Sequence, residues 1–115
     1  MATVCMERAL EPGVSASYEV PERTRNHVLS VCKMLADPTR LRIAYYLTNE
    51  IELNVTQLCD RVAQSQPAVS HHLAMMRSTG IVDHRRAGRQ IFYSLRGDSM
   101  RQTLVRLFDL QASSQ

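Results

Sequence analysis

Gln66, Ser70, His71 and His72 lie close together on one short segment, and Arg85, Arg86 and Arg89 follow a little further on. Among the side chains of this chain, these are the ones best placed to engage another molecule. Amides, hydroxyls and imidazoles donate and accept hydrogen bonds, so on an exposed helix they can reach base edges in a DNA major groove. Arginine forks grip phosphate oxygens through paired N–H donors. The chemistry on offer is recognition. No nucleophile–base–acid constellation, glycine-rich phosphate loop or open metal site accompanies these residues, so no enzyme and no cofactor are expected. His71 and His72 are adjacent, which turns them about 100° apart on a helix and prevents them from chelating one ion.

Positioning such groups requires two helices and a tight turn, and residues 55–80 supply that pattern. Val55, Leu58 and Val62 give a first apolar stripe, and Val69, Leu73 and Met76 give a second at spacings of four and three. Ala63, Gln64, Ser65 and Gln66 make the turn, with Ser65 as N-cap and Pro67 in the first helical turn, where its missing N–H costs nothing. Gly80 closes the second helix. Gln66, Ser70 and His71 fall off the buried stripe. His72 sits beside it, either bracing the helix or touching a phosphate. Arg77, near the helix end, is a further phosphate candidate or a balance to the helix dipole.

The rest of the chain frames this reading head. Residues 4–10 are expected as a short helix ended by Pro12-Gly13, with 14–20 extended. A helix is expected over 21–36 with Val28, Val31, Cys32 and Leu35 on its buried side. Asp37 caps the next, with Pro38 first and Leu41, Ile43, Ala44 and Leu47 inside. Thr48-Asn49-Glu50 ends that helix, Ile51-Glu52-Leu53 is a short extended piece, and Thr56 is a candidate cap for the reading head. After Gly80 the period becomes two: 81–86 and 90–95 read as strands joined at Ala87-Gly88-Arg89, a hairpin whose tip carries Arg85, Arg86 and Arg89. Phe92 and Tyr93 alternate, so one of them faces the core. A last helix runs from Asp98 to about Gln111 with Met100, Leu104, Leu107 and Phe108 on one side. Arg40 and Arg42 are expected in structural pairs with acids such as Asp37.

At 115 residues the chain is one domain. An N-terminal arm over 1–20, expected to be partly mobile, precedes a helix–turn–helix and hairpin unit over 21–111 and a tail over 112–115. The net charge of +3 says little, but from Arg61 to Arg106 eight arginines face two acids, Asp83 and Asp98, an electrostatic footprint suited to phosphate. Three cysteines without close pairing point away from a disulfide framework and towards a reducing cytoplasm. No apolar stretch is long enough for a membrane span, and no signal pattern opens the chain.

The order helix, helix, helix–turn–helix, β-hairpin, helix comes with LADPTRLRI at 35–43, LNVTQLCDRVAQSQPAVSHHL at 53–73, Gly80 and AGRQIFYSL at 87–95. In these motifs the chain resembles the ArsR/SmtB family of winged-helix transcriptional repressors from about Pro21 to Phe108. The resemblance implies a mainly α fold with a β-hairpin wing, and a homodimer joined through its terminal helices. It implies double-stranded operator DNA as partner, with the 66–79 helix in the major groove, the wing along the backbone, and release by an effector. The competing reading, a winged helix used only as a protein-interaction module, fits the basic wing and polar outer face less well.

The family's sensor motifs are where the chain departs. The string ELNVTQL puts Asn54 and Thr56 where an ELCVCDL-like site would have cysteines, and neither replaces a thiolate for a soft ion. Along the last helix, a D-x-H then H-x-x-E pattern would fall on Asp98, Met100, Gln111 and Ser114, or one position earlier on Ser99, Leu110 and Ser113; neither register is a ligand set. Both usual metal sites are therefore expected to be missing. Cys32 and Cys59 read first as buried packing residues. A thiol-directed effector acting on Cys5, Cys32 and Cys59 is the alternative. His27 and His84 stand without partners at ligand spacing.

Overall fold

The computed structural model describes residues 19–113. The expected helix at 4–10, most of the extended 14–20 segment, Cys5 and the end of the tail lie outside the described residues. The elements are α1 (Glu22–Leu35), α2 (Pro38–Asn49), β1 (Leu53–Asn54), α3 (Val55–Val62), α4 (Gln66–Ser78), β2 (Val82–Ala87), β3 (Gln90–Leu95) and α5 (Gly97–Ser113). This is a winged helix-turn-helix, mainly α with a β-hairpin, as the element order predicts.

Local chemistry sets the boundaries. The Asp37 carboxylate accepts from the Arg40 backbone N–H at 3.0 Å and starts α2, with Pro38 in its first turn. The cap of α3 is Asn54 rather than the expected Thr56. Asn54 Oδ1 accepts from Gln57 N at 2.8 Å, and Gln57 Oε1 accepts from Asn54 N at 2.8 Å, a reciprocal capping box that Thr56, two residues later, cannot make. Ser65 Oγ accepts from Ala68 N at 3.4 Å and starts α4 as expected. At the far end Gly80 takes φ +88°, with Gly80 N bonded to Arg77 O and Ile81 N to Met76 O. That is a Schellman closure, sealed by apolar contact at its ends, since Met76 and Ile81 are both fully buried.

The stripes converge on one core. Ile43, Ala44 and Leu47 of α2, Leu58 and Val62 of α3, and Val69, Leu73 and Met76 of α4 pack with Ile81, Val82, Tyr93, Leu95 and Leu104. Tyr93 is the core member of the Phe92–Tyr93 pair. Several expected core positions lie open in the protomer. Leu41 is 37% exposed, Val28 50% and Leu107 42%, and Cys32 is exposed rather than buried. No residue of α1 is fully buried. An apolar period identifies a face, and among the described residues nothing fully covers that face.

The sheet has the order β1-β3-β2, all antiparallel. Ala87 pairs with Gln90, so the wing turns through Gly88 and Arg89 alone, with Gly88 at φ +65°. One positive φ at the first turn residue suits glycine and matches the twist of a two-residue hairpin. Among the described residues no helix is long and apolar enough to cross a membrane.

Candidate nucleic-acid interface

The outer face of α4 follows from its inner one. With Val69, Leu73 and Met76 fully buried, the helical period leaves Gln66 and His71 exposed and Ser70 half-buried beside them. His72 is different. It is half-buried, and its Nδ1 lies 3.3 Å from Arg40 Nη1. Arginine only donates, so the imidazole nitrogen accepts, and the pair braces α4 against the start of α2. Arg40 also donates through Nε to Met34 O at 2.6 Å. Instead of the expected close ion pairs with acids, the Arg40 guanidinium bonds the Met34 carbonyl and His72, and only its Coulombic attraction reaches Asp37, while Arg42 turns to carbonyls. Arg42 donates to Arg61 O at 2.8 Å and Val62 O at 3.4 Å, which tethers the C-terminus of α3. Asp37 serves the backbone instead: the Arg40 N–H holds its carboxyl below the usual range against some desolvation.

The three wing arginines divide into two kinds. Arg85 grips Glu52 with both arms of its fork, and its guanidinium lies 4.8 Å over the Phe92 ring. That hydrogen-bonded pairing lowers the Glu52 pKa and raises that of Arg85. Arg86 and Arg89 are exposed, and neither side chain has a hydrogen-bond or ion-pair partner among the described residues. Alternation puts Arg85 on the same sheet face as Phe92, and Arg86 on the opposite face with His84. Arg77, at the end of α4, donates to His84 Nε2 at 2.7 Å and links the helix to the base of the wing.

A notch with a volume of about 180 Å³ opens between α4 and the wing, lined by Asn54, Thr56, Gln66, Ser70, Arg89 and Gln90. It brings two of the predicted base-reading residues to the same depression as one predicted wing cation. Asn54 and Gln90 are additions that sequence reasoning missed: Asn54 Nδ2 donates to Gln90 Oε1 at 3.1 Å across 36 residues of chain. No local pattern signals such a long-range pair.

The run of arginines from 61 to 106 is less available than its composition implied. Arg61 pairs with Glu50 at 3.2 Å, Arg85 with Glu52, and Arg96 with Asp83 at 2.7 Å. Arg101 donates to Leu47 O at 2.8 Å, Thr48 O at 3.1 Å and Glu50 O at 3.4 Å, holding the C-terminal end of α2. The cations left facing outward concentrate at the wing tip and the end of α4.

On another side, α1 and α5 enclose an apolar groove of about 540 Å³ lined by Val28, Val31, Cys32, Met100, Leu104 and Leu107. Cys59 is half-buried against the core. Asn54, where the family resemblance looks for a thiolate, is committed to capping α3 and holding Gln90. Among the described residues, no three His, Cys, Asp or Glu side chains are grouped so as to hold a metal ion.

This geometry has known counterparts. Residues 37–84 match the model of the bacterial regulatory protein, arsR family. The chain is 32% identical over 93 residues to a cadmium resistance transcriptional regulatory protein CadC homolog of Staphylococcus aureus, covering 81% of this chain and 77% of the relative. It is 34% identical over 107 residues to the biofilm growth-associated repressor of Agrobacterium fabrum, covering 90% and 86%. Against some other relatives it spans less, down to 46% of their length. The solved structure of HlyU from Vibrio cholerae superposes with a TM-score of 0.73 at 31% identity, covering 78% of this chain and 97% of that one. With its fold, its polar reading face and these relatives agreeing, the chain belongs to the ArsR family and is a winged helix-turn-helix DNA-binding transcriptional regulator.

Proposed function

We propose that residues 21–111 form a dimeric repressor unit that binds an imperfect inverted repeat in its operator and blocks transcription by occupancy. The 66–78 helix of each protomer enters the major groove, with half-sites about one helical turn apart. Gln66, Ser70 and His71 read base edges there. Arg86 and Arg89 meet the phosphates or the minor groove beside it, and Arg77 lies close enough to the same backbone to add a phosphate contact. His72 and Arg85, given their partners in Arg40 and Glu52, serve as braces that hold helix and wing in register.

The observation that carries this reading is the pairing of a fully buried inner stripe on α4 with a polar outer face beside Arg86 and Arg89, whose side chains are exposed and without an ion-pair partner among the described residues. Any surface helix keeps a polar free side; what supports DNA reading is that hydrogen-bonding groups there sit beside the exposed cations of the wing. Selection of binding sites from random duplexes is the direct test. A twofold-symmetric consensus is expected, with affinity falling steeply as salt rises. Recovery of no preferred sequence would defeat the proposal and favour a protein-interaction module.

For the signal that releases DNA, the candidate is a thiol-directed effector, whose action at Cys32 would fall in the α1–α5 groove and so bear on the joining of protomers. Replacing Cys5, Cys32 and Cys59 together with serine should abolish induction by an oxidant, reactive sulfur or soft metalloid. Unchanged induction would remove the thiols from consideration.

A further inference from the structure

We infer that Asn54 is a positioning residue that sets the wing tip against the reading head, so that Arg89 and α4 engage one duplex together; this rests on the DNA-binding reading above. The backbone support of the wing is short. β1 contributes two residues, Leu53 opposite Tyr93 and Asn54 opposite Phe92, and then the chain turns into α3. Beyond Phe92, β3 has no strand on that side, and the tip from Ala87 to Ile91 projects as a two-stranded ribbon. Isolated two-stranded ribbons are marginal in water.

The Asn54 side chain extends the support past the end of its own strand. Its Oδ1 caps α3 by accepting from Gln57 N at 2.8 Å, while its Nδ2 reaches two residues further along β3 to Gln90 Oε1 at 3.1 Å. Both ends of one amide are thus used, one on the first helix of the reading head and one on the residue next to Arg89. The other side-chain stays, Arg85 to Glu52 and Arg77 to His84, act nearer the base. Asn54 and Gln90 also line the notch that holds Gln66, Ser70 and Arg89. Holding a flexible cation in place before binding lowers the ordering cost of its contact.

The substitution Asn54→Ser separates the two jobs, because serine caps a helix about as well as asparagine yet is too short to reach Gln90. Gln90→Ala removes the same link from the other side and leaves the cap untouched. Each variant is compared with the full chain in two measurements. By hydrogen exchange, the amides at the wing tip should lose protection in both variants, while those of α2 and α4 keep theirs. By binding to a duplex selected by the unaltered protein, Arg89→Ala should cost about tenfold in the normal background and about twofold or less in either variant, the non-additivity expected of groups acting as a unit.

Unchanged exchange at the wing tip would overturn the inference, whether or not DNA binds. Equal Arg89→Ala costs in all backgrounds would overturn it too. Failure of the unaltered protein to prefer any duplex would instead count against the DNA-binding reading, with the exchange result still deciding the tether.

Discussion

Two surfaces of this protomer are left open, and they are opposites. Along α4 and the wing the exposed groups include Gln66, His71, Arg86 and Arg89, polar or charged side chains. Along α1 and α5 they include Val28, Leu29, Leu107 and Leu110, which is 63% exposed. The first surface suits a charged, hydrogen-bonding polymer. The second, a contiguous apolar face, suits a protein partner of similar character, and a second copy of the chain supplies one. Fold and function meet in this contrast. Joining the apolar faces would set two reading heads on one duplex, and each head alone would hold half a site.

The strongest way to break the contrast is to charge the apolar side. Val28→Asp with Leu107→Asp should leave the core intact and give monomers by sedimentation, with operator affinity down at least about a hundredfold as one half-site is lost. A stable dimer at micromolar concentration would show that the faces join elsewhere. Next in size is the difference between the two sides of α4. Leu73→Ala should lower unfolding free energy by about 3 kcal/mol in urea titration. His71→Ala should change stability by less than about 0.5 kcal/mol and act only on DNA.

Within the wing, Arg89→Ala should weaken operator binding about tenfold and reduce the salt slope by about one. Arg85→Ala should leave that slope nearly unchanged, since Glu52 already occupies its fork. Equal slopes for the two variants would erase the distinction between free and committed arginines. The smallest effect concerns the α2 cap. Asp37 has its pKa lowered by folding, so its contribution is present above the unfolded pKa and is lost as pH falls through the folded value. Asp37→Asn retains a capping oxygen but removes that titration. The acid limb of a stability–pH profile should flatten, with little change near neutrality.

Much of this arrangement is legible in the residues themselves. Ser65, Asp37 and Gly80 announce helix ends because capping is local chemistry. The stripes at 58–62 and 69–76 announce packed faces because helical period is local geometry. What covers a face is not local. Leu41, Val28, Cys32 and Leu107 have the spacing of core residues, yet they lie exposed among the described residues. The arginines show the same limit: charge density suggested a broad phosphate-binding patch, but long-range partners at Glu50, Glu52, Asp83 and the α2 carbonyls claim half of it. The α3 cap falls on Asn54, two residues before Thr56, because Gln57 reaches back to the Asn54 N–H.

The central claim, that the outward side of the 66–78 helix carries sequence information, is tested most directly by a ratio. Fluorescence anisotropy would give the affinity for a selected duplex divided by that for a scrambled one, for the unaltered protein and for Ser70→Ala with His71→Ala. The account predicts that this ratio falls by at least about tenfold while dimerisation and affinity for the scrambled duplex are kept. An unchanged ratio would mean that sequence is read by some other part of the molecule.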